Sequence, residues 1–312
     1  MSTRVAFQLL LLSLSAAATA DLDPPPPGAH VWVGDHRLHL NCQGSGSPTV
    51  VFESGLGGSS LDWVLVQPAV ATRTRACTYD RAGYAWSDAG PLPRNDVSII
   101  SDLNHLLSNG SVAGPYVLVG HSLGGLIVQR YAQQNPNRVA GLVLIDATHE
   151  DQLRRLEQAA VASARARARA RGWTATVAWE SGVVVPEGLP EEVRVVAQAF
   201  SARVRSMVTR RSEMGYLLQG SRGDGTIGEL PDVPLVVISH RVIDGAADAS
   251  ASDAARAEIW MDMQRDLARR ARRSRHVIAR TPGHYVQVLE PGTVIDAIHD
   301  VVDQHRADQN AK

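Results

Sequence analysis

The hydrophobic positions of this chain fall into short runs, separated by segments with helical spacing. Several later runs, such as YVLVG and GLVLI, are continuous rather than alternating. Continuous runs are typical of strands that are covered on both faces, as in a parallel sheet. The pattern predicts strands at 30–33, 37–41, 49–53, 74–79, 116–120, 141–146, 234–239 and 276–279. Helical patterns at 95–108, 123–135, 254–272 and 293–305 alternate with them, which predicts an α/β fold on an open, mostly parallel sheet.

One long interval interrupts this alternation. About 85 residues, 147–231, carry helical signals but no strong strand signal. A gap of this length predicts an inserted subdomain rather than a loop. It includes the Ala–Arg alternation at 162–171, which in a helix would spread arginines over every face. We favour a solvated, alanine-rich helix there over a basic patch that touches anionic surfaces.

The amino-terminal segment has the three parts of a secretory signal peptide. Arg4 precedes an apolar run at 5–14, and the small residues Ala18-Thr19-Ala20 follow. The run is shorter than the ~20 residues that span a bilayer. We therefore expect residues 1–20 to be removed and the protein to be exported, to the periplasm or outside the cell, with an uncleaved membrane anchor as the alternative. A proline-rich linker is predicted at 21–28.

Composition narrows the function classes. The 312 residues are 44% hydrophobic and 20% charged, which excludes a disordered chain, a collagen-like repeat and a polytopic membrane protein. A net charge of −1 gives nucleic-acid binding no electrostatic support. Two cysteines are too few for a disulfide scaffold or a four-cysteine zinc site. After export, Cys42 and Cys77 are expected to pair, with two buried thiols as the alternative.

The strongest chemical signal is Gly120-His121-Ser122-Leu123-Gly124. It is a G-x-S-x-G motif between a predicted strand and a predicted helix, the context in which a strained turn exposes a serine hydroxyl above the sheet. Ser122 is therefore the predicted nucleophile. The alternative is a glycine-rich turn with an idle serine.

A serine needs a base, and the base needs an acid that fixes its tautomer. His284 follows the last predicted strand, in a Pro-Gly turn before a helix, and is the predicted base. Two aspartates follow strands as candidate acids. We favour Asp146, at the carboxyl tip of its strand, over Asp244, which lies five residues beyond Ser239.

An oxyanion hole needs two amide donors. The N–H of Leu123, directly after the serine, is one candidate. The other is the N–H of Leu56, in the glycine-rich loop that follows the strand at 49–53. A phosphate-binding loop is not favoured, because the chain has neither G-x-x-x-x-G-K-[ST] nor the glycine spacing of dinucleotide sites.

These motifs together resemble the α/β-hydrolase superfamily over about residues 29–305. The matching segments are FESGLGG at 52–58, YDRAGYAWSD at 79–88, GHSLGG at 120–125, LIDA at 144–147 and GHY at 283–285. The resemblance implies an eight-stranded, mostly parallel sheet with a core formed by 29–146 and 232–305. It also implies that 147–231, here called the cap segment, is a helical cap inserted between strands six and seven, and leaves 306–312 as a polar tail. Finally, it places the strands of Cys42 and Cys77 side by side, which favours the disulfide.

The chain also departs from the family pattern. Many members carry His-Gly at the oxyanion loop, where this chain has Glu53-Ser54-Gly55. Most place the acid after strand seven in a Gly-x-x-Asp context, whereas here His240 stands at the glycine position and Asp244 comes one residue late. Some relatives place the acid at the tip of strand six, where Asp146 stands. Ser122 argues against the epoxide hydrolases and haloalkane dehalogenases, which use an aspartate nucleophile.

The sequence thus predicts an exported serine hydrolase of the carboxylesterase or lipase type, which cleaves an ester or related acyl compound through an acyl-enzyme. We expect a small-molecule acyl substrate, no metal or organic cofactor, no nucleic-acid partner and no stable membrane span after signal cleavage. An acyltransferase, an amidase or peptidase, or a cofactor-free perhydrolase with the same triad is the alternative enzyme class. A non-catalytic binding module on the same scaffold is the alternative outside enzymology. The oligomeric state is not indicated.

Overall fold

The computed structural model describes residues 24–158, 185–220, 227–242 and 251–311. Its centre is an eight-stranded sheet with the order β1-β2-β4-β3-β5-β6-β7-β8. β2 pairs antiparallel with β1 and with β4, and all other neighbours are parallel. The strands are β1 (Ala29–Trp32), β2 (Arg37–Gln43), β3 (Thr49–Glu53), β4 (Ala76–Tyr79), β5 (Tyr116–His121), β6 (Val139–Ile145), β7 (Leu235–Ser239) and β8 (Ser274–Ile278). All eight predicted strands are present, and the predicted fold class is confirmed.

Helices cover both faces of this sheet. α2, α3 and α7 pack on one face, and α1 and α9 pack on the other. The helices are α1 (Gln67–Ala71), α2 (Asp96–Asn109), α3 (Leu123–Gln134), α4 (152–158 within the described residues), α5 (Glu191–Ser201), α6 (Val204–Gly220), α7 (Ala251–Ala268), α8 (Val286–Leu289) and α9 (Pro291–Asn310). None of the helices in the described part of the chain has the length and apolarity needed to span a membrane.

The continuous hydrophobic runs are explained by this double coverage. Along β5, Val117 and Val119 belong to the core beneath α9, while Leu118 belongs to the core beneath α2 and α3. Successive side chains of a strand point to opposite faces, so both sets must be apolar when both faces are packed. All six residues of β5 are buried.

The end of α7 differs from its predicted position. The pattern predicted a helix to residue 272 and a strand from 276, but α7 ends at Ala268 and β8 begins at Ser274. Two arginines between α7 and β8 and one within β8 form ion pairs with aspartates. Arg272 pairs with Asp232, Arg273 with Asp308 and Arg275 with Asp300. A hydrophobic pattern does not register such ion pairs, and it therefore gives no signal for the structure between α7 and β8.

The antiparallel edge of the sheet carries the disulfide. Cys42 of β2 and Cys77 of β4 stand directly opposite each other in the strand register and are joined by a disulfide. The pairing expected from the sequence is confirmed. It links the amino-terminal β1–β2 hairpin to the parallel part of the sheet.

Between β6 and β7 the described chain contains α4, α5 and α6, all within the cap segment. Other features predicted from the sequence lie outside the described residues. These are the signal peptide at 1–20, the Ala–Arg alternation at 162–171 and the alternative acid Asp244.

The proline-rich linker contacts the core where it is described. The Pro24 carbonyl accepts a hydrogen bond of 2.8 Å from Trp86 Nε1, and the Pro27 carbonyl lies 2.5 Å from His39 Nε2. Trp86 packs in turn on Phe200 of α5, with ring centroids 4.9 Å apart. Residues 24–27 therefore lie along the part of the core that α5 covers.

Candidate active site

Ser122 lies at the sharp turn between β5 and α3. Its backbone has φ 52° and ψ −120°, a left-handed conformation that non-glycine residues rarely adopt. The turn is held by two backbone hydrogen bonds: Ser122 N–H donates to Ile145 O at 3.1 Å, and Thr148 N–H donates to Ser122 O at 3.0 Å. The carboxyl end of β6 and the residues that follow it thus hold the strained turn that the G-x-S-x-G motif predicted.

The glycines beside Ser122 allow a close approach to the loop after β3. A Cβ at Gly124 would lie 2.3 Å from Glu53 O, inside the contact limit. A Cβ at Gly55 would lie 2.8 Å from His121 Nδ1 and 3.2 Å from Ser122 Cβ. Only glycine fits at these positions. The loop after β3 therefore lies directly against the serine turn.

Asp146 binds His284 at the same edge of the sheet. Asp146 directly follows β6, and its N–H donates to Ile238 O of β7 at 2.6 Å. Its side chain is fully buried, and Oδ2 lies 2.5 Å from His284 Nδ1. This contact, between residues 138 apart in sequence, is the one that orients an imidazole in Ser-His-Asp sites.

The same carboxylate has three further donors. His240 Nδ1 lies 2.9 Å from Oδ1 and 2.8 Å from Oδ2, and the His240 N–H donates to Oδ1 at 3.2 Å. Trp260 Nε1 of α7 donates to Oδ1 at 2.9 Å. Burial raises the pKa of Asp146, but hydrogen bonds from His240 and His284 outweigh it and hold this pKa well below its ordinary value. Asp146 is therefore an anion at neutral pH.

His240 and Trp260 were not predicted from the sequence as site residues. His240 had one usable signal, since it stands directly after β7, where the resemblance expects a glycine. Burial lowers the pKa of His240, but the hydrogen bond to Asp146 and the charge of that carboxylate outweigh burial, so the pKa lies above its ordinary value. Trp260 lies in a helix whose polar pattern gives no indication of a buried contact.

His121 contacts both the backbone and the ring of His284. Its Nε2 lies 3.1 Å from the His284 carbonyl oxygen, and the two rings are 4.6 Å apart. The ring also lies 5.0 Å from the Tyr285 ring. Burial lowers the pKa of His121 to about 3, so the ring is neutral and Nε2 can donate to the carbonyl. His121, which directly precedes Ser122, thus links the serine turn to the chain at His284.

The loop after β3 is held from behind by Arg81. This buried guanidinium donates from Nη1 to Ser54 O at 2.6 Å and from Nη2 to Gly55 O at 2.8 Å. Asp80, its neighbour, accepts from Ser60 N–H at 2.7 Å. Asp80 and Arg81 thus brace this loop through hydrogen bonds to its backbone.

Ser122, Asp146 and His284 line one pocket with a volume of about 330 Å³. Leu56 lines it from the loop after β3, and Leu123 is the first, buried residue of α3 beneath it. The remaining lining residues are Thr148, Gln152, Leu153, Met214, Leu217, Leu218, His240 and Trp260. The structure therefore brings the predicted nucleophile, base and favoured acid together, beside the two predicted oxyanion residues.

The alternative acid Asp244 is outside the described residues, so its position is not compared with that of Asp146. Within the ranges that the structure describes, no group of three or more His, Cys, Asp or Glu side chains is arranged to hold a metal ion. The groups with reactive chemistry that line the pocket include a serine, two imidazoles and a carboxylate.

Comparison with known proteins places this geometry in context. Residues 48–173 match a family model described as alpha/beta hydrolase fold. A putative carbamate hydrolase, RutD, from Klebsiella pneumoniae is 38% identical over 103 residues, which cover 32% of this chain and 38% of the relative. An uncharacterised protein of Schizosaccharomyces pombe is 26% identical over 295 residues, covering 82% of this chain and 51% of the relative.

Among solved structures, a putative lipase from Acinetobacter baumannii superposes with a TM-score of 0.64 at 17% identity, covering 90% of this chain and 92% of the lipase. At this identity the similarity shows the fold alone. The chain spans about half or less of the length of the curated relatives named above.

Proposed function

Given that the chain has the α/β-hydrolase fold, we propose that it is a serine hydrolase which cleaves a carboxylic ester or a related acyl compound. The observation that carries this proposal is the pocket that Ser122 and His284 both line, while Asp146 binds His284 Nδ1 at 2.5 Å. A serine, an imidazole and a buried carboxylate in this relation form the set of groups that acyl transfer requires.

In the proposed reaction, Ser122 Oγ attacks the carbonyl carbon of the ester, and its proton passes to His284 Nε2. The carbonyl oxygen becomes an oxyanion, which the N–H groups of Leu56 and Leu123 stabilise. Collapse of this intermediate breaks the bond to the alcohol, which leaves with the proton from His284. Water then attacks the acyl-enzyme, gives a proton to His284, and releases the acid as Ser122 recovers that proton.

Asp146 has two roles in this scheme. Its bond to His284 Nδ1 selects the tautomer with a free lone pair on Nε2, which is the atom that must accept the serine proton. Its negative charge then stabilises the imidazolium that forms. Because Asp146 has a depressed pKa, it stays ionised throughout the pH range in which a histidine base can work.

The pocket wall suggests the substrate class. Leu153, Met214, Leu217 and Leu218, all from the cap segment, provide most of the apolar side chains that line the pocket. An apolar wall favours an apolar acyl or alcohol group by removing it from water. A volume of about 330 Å³ fits a group of medium size. We propose a medium-length acyl chain or a small aromatic ester, and carbamates deserve inclusion in the panel because of the name that the relative RutD carries.

We also propose export of the protein. The signal-like segment at 1–20 supports it, as does the Cys42–Cys77 disulfide, because disulfides persist mainly in oxidising compartments. The measurement is the mass of the protein recovered from the periplasm or medium of a secreting host. Loss of residues 1–20 is expected, and full-length protein retained in the cytosol would contradict export.

The experiment for the enzymatic proposal is labelling with a fluorophosphonate probe, which reacts with an activated serine. Wild type and Ser274→Ala, a control at an exposed serine of β8, are expected to label, whereas Ser122→Ala is not. Hydrolysis of p-nitrophenyl esters of two to twelve carbons, together with a carbamate and an anilide, then ranks substrates. A folded wild-type protein that neither labels nor hydrolyses any of them would overturn the proposal in favour of a binding module.

A further inference from the structure

Arg81 has all five of its guanidinium N–H groups bound in a buried site. Two of them reach the loop carbonyls of Ser54 and Gly55, as described above. A third binds Glu53 Oε1 at 2.7 Å. The last two bind Glu213, with Nε 2.8 Å from Oε1 and Nη2 2.8 Å from Oε2. Arg81 is thus shared between the loop after β3 and a single carboxylate of α6.

The orientation of the Gly55–Leu56 peptide follows from these contacts. Gly55 O accepts from Arg81 Nη2 at 2.8 Å and from Gly58 N–H at 3.1 Å. In a planar trans peptide the C=O and the following N–H point in opposite directions. The N–H of Leu56 therefore points away from Arg81. A Cβ at Gly55 would lie 3.2 Å from Ser122 Cβ, so this peptide lies beside the serine, as the oxyanion proposal requires.

Glu213 brings the cap segment into this arrangement. It is fully buried in α6, where it forms the bidentate pair with Arg81 and accepts a hydrogen bond of 2.9 Å from Tyr84 Oη. Met214 and Leu217 of the same helix line the pocket. One rigid helix thus carries part of the pocket wall and the carboxylate that holds Arg81.

We propose that Glu213 is a positioning residue of the oxyanion hole, which acts through Arg81 to orient the Leu56 amide from the cap segment. The inference rests on the proposed hydrolase function. It assigns to Glu213, which does not itself line the pocket, a share in stabilising the transition state rather than in binding the substrate.

The electrostatic balance explains why Glu213 is needed. Burial lowers the pKa of Arg81, but the charges of Glu213 and Glu53 raise it well above its ordinary value. The guanidinium is therefore charged, and it must keep its partners in a site that excludes water. Without the Glu213 carboxylate, two N–H groups lose their charged partner, and buried unpaired groups of this kind are costly. Arg81 is expected to shift towards new partners and release the carbonyls of the loop.

The test compares Glu213→Gln with Asp102→Asn. Asp102 also forms a largely buried ion pair, with Arg94 at 2.6 Å, but it lies on α2, and its ion-pair partners are Arg94 and His36 rather than the loop after β3. Both variants are expected to lose stability in urea unfolding. Only Glu213→Gln is expected to lower kcat, by about 10–100-fold, a partial version of the 10²–10³-fold loss for a removed oxyanion donor. KM is expected to stay within about threefold.

A transition-state analogue separates positioning from general damage. A trifluoromethyl ketone forms a tetrahedral adduct whose oxygen occupies the oxyanion hole, whereas the alcohol product does not. In Glu213→Gln the ketone is expected to bind more weakly by the same factor as kcat falls, with alcohol inhibition unchanged. Unchanged ketone affinity, or equal losses of kcat in Asp102→Asn, would overturn the proposal. If Glu213→Gln fails to fold, Glu213→Asp carries the same comparison.

A readout independent of catalysis separates this proposal from the proposed function. In protein labelled with ¹⁵N-leucine, the Leu56 signal is identified by its loss in Leu56→Met. It is expected to shift and to exchange its proton faster in Glu213→Gln than in wild type. An unchanged Leu56 signal would refute the positioning role. An inactive wild type that still shows the shift would instead refute the hydrolase function while the coupling stands.

Discussion

His240 and His284 bind the same carboxylate, each through its Nδ1 atom. The Nδ1 atoms lie 2.8 Å and 2.5 Å from Asp146 Oδ2, and His240 also reaches Oδ1. Both rings line the pocket. Asp146 therefore holds a second imidazole in addition to the proposed base, and the two histidines lie on successive elements at the carboxyl edge of the sheet. Several of the predictions below concern the groups around this carboxylate.

Replacement of Asp146 by Asn is expected to lower kcat by about 10³–10⁴-fold, because an amide can hold His284 in the wrong tautomer and cannot stabilise the imidazolium. The measurement is steady-state hydrolysis of the best ester from the substrate panel. Asp244→Asn is the control, since Asp244 is the other candidate acid. A larger loss in Asp244→Asn than in Asp146→Asn would move the acid to the loop after β7.

His240 is expected to matter as a donor to Asp146 rather than as a base. His240→Ala removes the Nδ1 bond and is expected to lower kcat by about tenfold, within the range of a lost hydrogen bond to a charged group. An Asn side chain can place its amide N–H near the Nδ1 position, so His240→Asn is expected to recover most of the loss. Equal activity of the Ala and Asn variants would show that the hydrogen bond is not what His240 contributes.

The stability of the protein is expected to depend on pH through His121. Its pKa is about 3 in the folded protein and about 6.5 in an unfolded chain, so between these values only the unfolded chain binds the proton. Stability contributed by the neutral ring is therefore lost as pH falls below 6.5. From pH 6.5 to 5, wild type is expected to lose about 1.6 kcal/mol more free energy of unfolding than His121→Gln, measured by urea titration. Parallel pH dependences in the two proteins would contradict this.

Gly55→Ala is expected to abolish most activity without unfolding the protein. Its Cβ would meet His121 Nδ1 at 2.8 Å and Ser122 Cβ at 3.2 Å, so the loop must move away from the serine. The loss of kcat is expected to reach about 10²-fold or more, as for a lost oxyanion donor. Gly292→Ala in α9 is the control, because nothing lies within 4 Å of its Cβ position. Near-normal activity of Gly55→Ala would place the oxyanion donor elsewhere.

The disulfide is expected to stabilise the fold without affecting the chemistry. Its cysteines are 35 residues apart, and the chain-entropy relation gives about 3–4 kcal/mol for a loop of that length. The Cys42→Ser, Cys77→Ser double variant is expected to lose that much free energy of unfolding in urea, while kcat at 25 °C stays within about twofold. A lower kcat in a fully folded double variant would mean that the β2–β4 edge affects the candidate active site.

Most of the fold could be predicted from the sequence because burial of both sheet faces leaves a direct mark on it. The strands β5 and β6 are buried throughout, and the motif at Ser122 marks the turn from β5 into α3. Short elements were not predicted, such as α1 with five residues and α8 with four. A helix of one turn is too short to show a periodic pattern.

The contacts between distant residues could not be predicted in the same way. Glu213 binds Arg81 across 132 positions, and Trp260 binds Asp146 across 114. Glu213 and Trp260 each lie in a helix in which polar and apolar residues are intermixed. The local pattern of such a helix does not distinguish a side chain with a buried partner from one that faces solvent. The Asp146–His284 contact was predicted only because both residues follow strands whose carboxyl ends meet at one edge of the sheet.

The docking of Pro24 against Trp86 affects where the protein can be tethered. Since Trp86 packs on Phe200 of α5, a fusion partner or surface linker joined directly ahead of residue 24 would emerge beside α5 and could disturb the contact between Pro24 and Trp86. Attachment after α9, whose last described residue Ala311 is exposed, would leave the pocket facing the solution.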